Sequence, residues 1–233
     1  MSTQFTGFPP EGIQFLHDLV QNNDRDWFNP RKEIYQSHVV QPAIDFVQAM
    51  GQRLQHLVPN IQYDTRTNGS GSLMRIYRDT RFSKDKTPYK EYVGIIFWEG
   101  GDKKTENPGF HLGVTGYGAE IHVGMHGFPK PMLAAFRQAV VDERLGGELV
   151  EVVTAVQKAG YTVGGEHYKN VPRGFDSDHT RADWLRYATL YASSGNIPAN
   201  IVTSDNFFNV CFAHFEQMLP LHNWLVQVAQ NAT

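Results

Sequence analysis

The spacing of apolar residues changes period twice along these 233 residues, and that order of periods limits the fold more than any other feature. Up to about Pro59 the spacing is helical. Ile13, Leu16, Leu19 and Val20 recur three or four apart, and Asn22-Asn23-Asp24 breaks the pattern. Trp27, Phe28, Ile34 and Tyr35 carry a second helix. A third follows Pro42, a tolerated first-turn proline, with Ile44, Val47, Met50, Leu54, Leu57 and Val58 on one side. From about 61 to 128 the pattern becomes strand-like, with runs at 73–79, 92–98, 110–115 and 120–125. The last two flank Gly116-Tyr117-Gly118, the signal of a hairpin. Helical spacing then returns. Leu133, Phe136, Val140 and Val141 form one helix, and Leu145 to Val156 a second that ends at Ala159-Gly160. A polar loop holds Pro172-Arg173-Gly174-Phe175, and two helices, 207–218 and 221–229, close the chain.

Strands grouped between helices, not alternating with them, predict an α+β fold: a mostly antiparallel central sheet flanked by N-terminal and C-terminal helices. No Pro/Ser-rich linker interrupts the chain, so residues 1–233 read as a single domain, helical over 9–59, sheet-rich over 61–128 and helical over 130–230. Nine of the 21 glycines lie between Gly94 and Gly127, which points to bulges, tight bends, close approach of a ligand, or mobile turns. A lone cysteine, Cys211, excludes an internal disulfide and a Cys-rich zinc site. The first residues lack a basic n-region and an apolar h-region, and Ile95-Ile96-Phe97-Trp98 is too short to span a bilayer. A soluble cytoplasmic protein with no membrane partner is the expectation.

Net charge is −3, but it is unevenly placed. Residues 75–90 hold six basic side chains against Asp79 and Asp85, a net of +4, leaving 15 basic and 22 acidic residues elsewhere, a net of −7. As a strand, this segment puts Arg75, Tyr77, Asp79 and Arg81 on one face. Guanidinium forks suit phosphate or carboxylate, and lysines add charge without fixed geometry. The candidate ligand-binding residues are therefore Arg75, Arg78, Arg81, Lys84, Lys86, Tyr89 and Lys90, with Ser83 and Thr87 as further hydroxyl donors. Two plainer readings stand beside this one: a solvated edge and loop, or internal pairing of Asp79 with Arg81 or Arg75 and of Asp85 with a lysine.

The run Arg75-Ile76-Tyr77-Arg78-Asp79-Thr80-Arg81-Phe82-Ser83-Lys84-Asp85-Lys86-Thr87-Pro88-Tyr89-Lys90 resembles the signature of a bacterial and fungal family called domain of unknown function 2461. Asn22-Asn23-Asp24-Arg25-Asp26-Trp27-Phe28, Pro108-Gly109-Phe110 and Pro172-Arg173-Gly174-Phe175 match as well, so the resemblance covers most of the chain. His111 departs from the tyrosine expected after Pro-Gly-Phe, which counts against a family-wide catalytic role for it. The resemblance implies a shared fold and brings no activity, cofactor or catalytic residue.

Other clusters have plainer uses. His111, His122 and His126 in or beside the hairpin, with Glu99 or Glu120, can form a metal site, but the spacing matches no metal signature, and histidines on a glycine-rich sheet are the simpler reading. Asp176, Asp178, His179 and Asp183 can serve a hard cation or acid–base chemistry, whereas Asp178 or Thr180 as a helix N-cap before Trp184-Leu185 is simpler. Cys211 and His214 lie one helical turn apart in apolar surroundings that favour core packing over a nucleophile. Asn23, Arg25 and Trp27 rim a pocket or merely turn the chain. Phosphate-loop, dinucleotide, Gly-x-Ser-x-Gly and His-Glu-x-x-His motifs are missing. No cofactor and no metal are expected. The functional expectation is binding of a small anionic ligand at the basic strand and loop, with any catalysis unassigned. The alternatives are docking of an acidic protein partner, and weak binding to nucleic-acid phosphates, disfavoured by the net charge.

Overall fold

Helix α1, Pro10–Gln21, starts with a proline in its first turn and stops at Asn22. In the computed structural model, which describes residues 5–101 and 103–232, the next helix follows almost at once. Asp24 caps α2, Arg25–Phe28, by accepting from the Trp27 amide at 2.8 Å. The predicted second and third helices are one nearly continuous path. A 3-10 turn, Asn29–Arg31, leads to α3, Lys32–Tyr35, then a π turn, Gln36–Val40, and α4, Gln41–Leu54. The widened π turn sits just before Pro42, whose missing N–H removes one rung of the ladder.

Five strands form one antiparallel sheet in the order β1-β2-β3-β5-β4, so the fold is α+β. They are β1, Tyr92–Trp98; β2, Gly109–Thr115; β3, Gly118–Met125; β4, Thr162–Glu166; and β5, Tyr187–Pro198. β2 and β3 make the predicted hairpin. Thr115 Oγ1 donates to the Gly118 carbonyl and accepts from the Tyr117 amide, both at 3.1 Å. Helices α5, Lys130–Val141, and α6, Glu143–Lys158, separate β3 from β4, and α7, Ala199–Val202, precedes α8, Phe207–Ala229.

Three expectations are corrected. Residues 73–79 are not a regular strand. They form only two isolated bridges, Leu73 with Ile95 and Tyr77 with Tyr89, because the segment changes partner midway. Met74 N–H bonds the Gly94 carbonyl of β1 at 2.8 Å, whereas Arg78 N–H bonds Pro88 at 2.9 Å. The region after residue 130 is not all helical, since β4 and β5 complete the sheet. β5 is rich in small residues, and Gly165 (φ +136°) bulges the β4–β5 ladder between Gly164 and Glu166. The two C-terminal helices are one, with Pro220 inside α8. Met218, Leu221, Trp224, Leu225 and Val228 keep helical spacing and full burial across the proline, and that packing outweighs one lost hydrogen bond.

The described residues gather into two compact units. The first takes in the chain up to Phe97 with His111–Ile121 and Asn196–Ala213, and the second Trp98–Phe110, His122–Gly195 and the chain from His214. The first is built on aromatic contacts, with Phe46 meeting Phe5 at 5.1 Å and Phe207 at 6.1 Å between ring centres. In the second, Phe110 meets Phe215 at 5.3 Å, and buried Trp224 donates its indole N–H to the Leu145 carbonyl at 3.0 Å. Each such fully buried ring contributes about 1.5–3 kcal/mol. Among the described residues, no helix is long and apolar enough to cross a membrane.

Candidate functional site

Within the first unit, the turn after α1 and the basic segment meet. Asn23 Nδ2 donates to the Tyr89 carbonyl at 3.0 Å, and Asn23 Oδ1 accepts from the Tyr89 amide at 3.1 Å. The side-chain amide thus pairs with a backbone as a neighbouring strand would. Tyr89 is buried, its ring stacked on Phe28 at 4.1 Å between centroids. Phe28 in turn packs on Tyr35 at 5.3 Å, and Tyr77 packs on Tyr89 at 5.5 Å. A ladder of rings therefore runs from the core to Tyr77, which is 58% exposed.

The loop beyond Tyr77 uses up two of the three arginines. Arg81 grips Asp79 through Nε–Oδ1 at 2.9 Å and Nη2–Oδ2 at 2.7 Å. Arg78 is paired with Asp85 and bonded to Thr87 Oγ1. Internal pairing therefore takes the Asp79–Arg81 form, while Asp85 meets an arginine and not a lysine. These bonds, with that from the Arg81 amide, hold Asp79 down to about 2. Bonds from the Thr87 amide, Arg78 and the Thr87 hydroxyl hold Asp85 to about 2. Lys86 donates to the Thr80 carbonyl at 2.8 Å. Lys84 is exposed with no partner among the described residues, and Phe82 is 95% exposed at the tip. Arg81 is turned onto Asp79, whereas the Arg75 side chain lies against Gly69.

Arg75 lines a different feature, a cleft of about 150 Å³. One helical face supplies one wall: Phe28, Lys32, Tyr35, Gln36 and Val40 recur at helical spacing through α2, α3 and the π turn. The opposite wall is the extended run from Leu73 to Tyr77, with Thr67 at the rim. The polar residues lining the cleft are Lys32, Tyr35, Gln36, Thr67, Arg75 and Tyr77, of which only Tyr35 is buried, and no acidic residue is among them. None of the six has a side-chain hydrogen bond or ion pair among the described residues. Tyr35 is 8% exposed, and burial, with Tyr77 nearby, pushes its hydroxyl up to about 12, so it stays a proton donor. Arg75 lies across Gly69 (φ +88°), where a Cβ would fall 2.7 Å from the Arg75 side chain. Half-buried Lys90 is lowered by burial and by the charge of Arg75, so two like charges share this neighbourhood.

Lys32, Tyr35, Gln36 and Thr67 were not foreseen from sequence. The legible signal was the i, i+3, i+4 spacing of Lys32, Tyr35 and Gln36 on a helix also carrying Phe28 and Val40. Trp27 packs on Phe15 at 5.3 Å, with Arg31 over its ring.

The remaining candidates are placed elsewhere. His122 and His126 stand 5.2 Å apart by ring centre, both against Tyr191. Among the described residues no three His, Cys, Asp or Glu side chains are grouped to hold a metal ion. Glu99 instead meets buried His222 at 2.9 Å. Asp178 and Thr180 cap no helix. Asp176 accepts from the Asp178 amide at 2.9 Å, and His179 Nδ1 accepts from the Arg181 amide at 3.0 Å, just before the 3-10 turn Ala182–Arg186. Cys211 is fully buried, which pushes its thiol up, and His214 bonds the Tyr161 hydroxyl at 2.9 Å.

A family model described as a conserved hypothetical protein (DUF2461) matches residues 11–224, nearly the whole chain. Comparison with curated proteins gives no match.

Proposed function

We infer a function from the geometry of the cleft, because the chain belongs to the DUF2461 family of conserved hypothetical proteins and that description names no reaction. The cleft binds a small anionic ligand bearing phosphate or carboxylate. The supporting observation is the composition of its polar lining: two cations and four neutral groups able to donate, none engaged by another side chain among the described residues and none a carboxylate. A guanidinium left without a carboxylate beside a second cation gains most by accepting an anion. Arg75 supplies the fork, Lys32 a second charge, and Tyr35 a pre-set hydroxyl. Lys90, Lys84 and Lys86 add positive field at longer range. Arg78 and Arg81 act by fixing the loop, and buried Tyr89 by supporting Tyr77.

The test is a titration with inorganic phosphate, followed by amide chemical shifts. Saturable shifts at Arg75 and its neighbours are expected. Arg75→Ala should weaken binding by about tenfold or more, since a charged hydrogen bond is worth about 1.5–3 kcal/mol. Lys84→Ala should change it less than about twofold, as expected of one exposed, screened charge. Equal phosphate affinity in Arg75→Ala and the unaltered protein refutes the site. A second reading, docking of an acidic protein partner, has Phe82 in its favour: a large apolar ring, 95% exposed, on a loop braced by Arg78–Asp85 and Arg81–Asp79.

A further inference from the structure

Resting on the anion-binding reading, we propose that the cleft selects phosphate monoesters carrying an aromatic body, with the phosphoryl group held inside and the ring laid against Tyr77. Three observations converge on that class. The first is size. A cleft of about 150 Å³ is small beside the roughly 300–1,000 Å³ of sites that enclose a whole ligand, so it takes a head group and leaves the body outside.

The second is the number of donors. Arg75, Lys32, Tyr35, Thr67 and Gln36 line the same small space, Tyr35 buried and the other four open to solvent. A carboxylate has two oxygens to offer, and a phosphoryl group has three. A carboxylate therefore meets fewer of these donors than a phosphoryl group does. A phosphoryl group spreads three oxygens over the two cations and the neutral donors. Tyr35 bears on this most directly, because its ring is buried, its hydroxyl has no partner among the described residues, and it lines the cleft.

The third is the lip. Tyr77 is 58% exposed, yet it is not a loose side chain. Its ring packs at 5.5 Å on Tyr89, which is stacked on Phe28. An exposed ring already fixed by neighbours loses little freedom when a second ring covers it, which is the condition for a stacking platform. It adjoins the cations, because Arg75 and Tyr77 line the same cleft two residues apart.

The experiment compares inorganic phosphate, phenyl phosphate and benzoate at fixed pH and ionic strength. The full chain is used unaltered, as Tyr77→Leu and as Tyr77→Phe, with Arg75→Ala as the site control and far-ultraviolet circular dichroism confirming that each variant folds. Phenyl phosphate should bind about two- to tenfold more tightly than inorganic phosphate, the gain expected of one ring–ring contact, and more tightly than benzoate. Tyr77→Leu should bring the ratio of phenyl phosphate to inorganic phosphate affinity, read within the variant, down to about one, whereas Tyr77→Phe, which keeps the ring, should retain it. Phenyl phosphate binding no better than phosphate, or a preference that survives in Tyr77→Leu, overturns the aromatic part. Benzoate equal to phenyl phosphate overturns the phosphoryl part. Failure of inorganic phosphate itself to bind, or binding indifferent to Arg75→Ala, instead removes the anion reading on which the proposal rests.

Discussion

Replacing Asn23 by alanine should loosen the basic segment from the N-terminal helices, by an amount the geometry sets. The side chain makes two hydrogen bonds to one residue, donating to the Tyr89 carbonyl at 3.0 Å and accepting from its amide at 3.1 Å. At about 1 kcal/mol net for each neutral bond, the loss is about 2 kcal/mol. Both groups of Tyr89 are only partly shielded, so water replaces some of what alanine removes, and the upper range of about 3 kcal/mol for a stranded buried group does not apply twice. With a urea m-value of about 2 kcal/mol/M, the unfolding midpoint falls by about 1 M. Hydrogen exchange gives the local readout: the Tyr89 amide should exchange up to about thirtyfold faster, the equivalent of 2 kcal/mol. Asn23→Asp keeps the acceptor but turns a carboxylate toward the Tyr89 carbonyl and Glu91, so it should do no better than alanine. A midpoint shift worth less than about 0.5 kcal/mol, with unchanged exchange at Tyr89, would refute the clamp, because that is the range of an ordinary surface substitution.

Three further outcomes follow from the same region. Tyr35, raised to about 12, should remain protonated at pH 10, where a free phenol is half ionised. Its contribution to stability is whole below pH 10 and lost between 10 and 12, and the absorbance difference between the unaltered protein and Tyr35→Phe on alkaline titration reads it directly. Asp79 and Asp85, both lowered to about 2 from an ordinary 3.8, run in the opposite sense. Their bonds hold the loop above pH 3.8 and release it as pH falls toward 2, and carboxyl-carbon chemical shifts titrating at the ordinary value would contradict the pairings. Gly69→Ala forces φ of +88° on a residue with a Cβ and places that carbon 2.7 Å from Arg75. It should cost about 1–2 kcal/mol of backbone strain and carry phosphate affinity toward the Arg75→Ala value, whereas retained affinity would show that Arg75 does not need its bed on Gly69.

The helices and the β2–β3 hairpin were legible because burial there follows a period: alternation along β2, and Phe15, Leu16 and Leu19 along α1. β5 was missed for a physical reason. Its residues Thr189, Leu190, Tyr191, Ala192 and Ser193 give no alternation of large and polar side chains, and Gly164 and Gly165 leave β4 without side chains that signal a strand. What makes them strands is pairing with each other and with β3, a non-local condition. Pro220 misled in the opposite direction. Taken alone it stops a helix, but the buried residues on either side of it hold the helix together.

For the site, counting charge picks out a segment but not how its charges are placed within it. A net of +4 over residues 75–90 treats all six cations as equal, whereas their availability is decided by where the two carboxylates fall. Asp79 lies two residues from Arg81 and closes an Asx-like turn on it, with Oδ1 also accepting the Arg81 amide at 3.2 Å. Asp85 accepts the Thr87 amide at 2.9 Å in the same manner and draws Arg78 across the loop. Each acid is fixed by a local backbone bond and then takes the arginine within its reach. Arg75 precedes both turns, lies on the far side of the Tyr77–Tyr89 bridge, makes no ion pair among the described residues, and lines the same cleft as Lys32. The Asx spacing of Asp79 with Arg81 and of Asp85 with Thr87 is readable in sequence; the approach of α3 that gives exposed Arg75 a cleft to line is not. Exchanging the acids tests that division. Asp79→Asn should free Arg81 and raise non-specific, salt-sensitive binding of anions at the loop, yet leave the phosphate affinity of the Arg75 cleft within about twofold, since screening over a Debye length of about 8–10 Å mutes a distant exposed charge. A gain in cleft affinity comparable to the loss in Arg75→Ala would mean that the arginines act as one pool of charge, and the assignment of the site to Arg75 would fall.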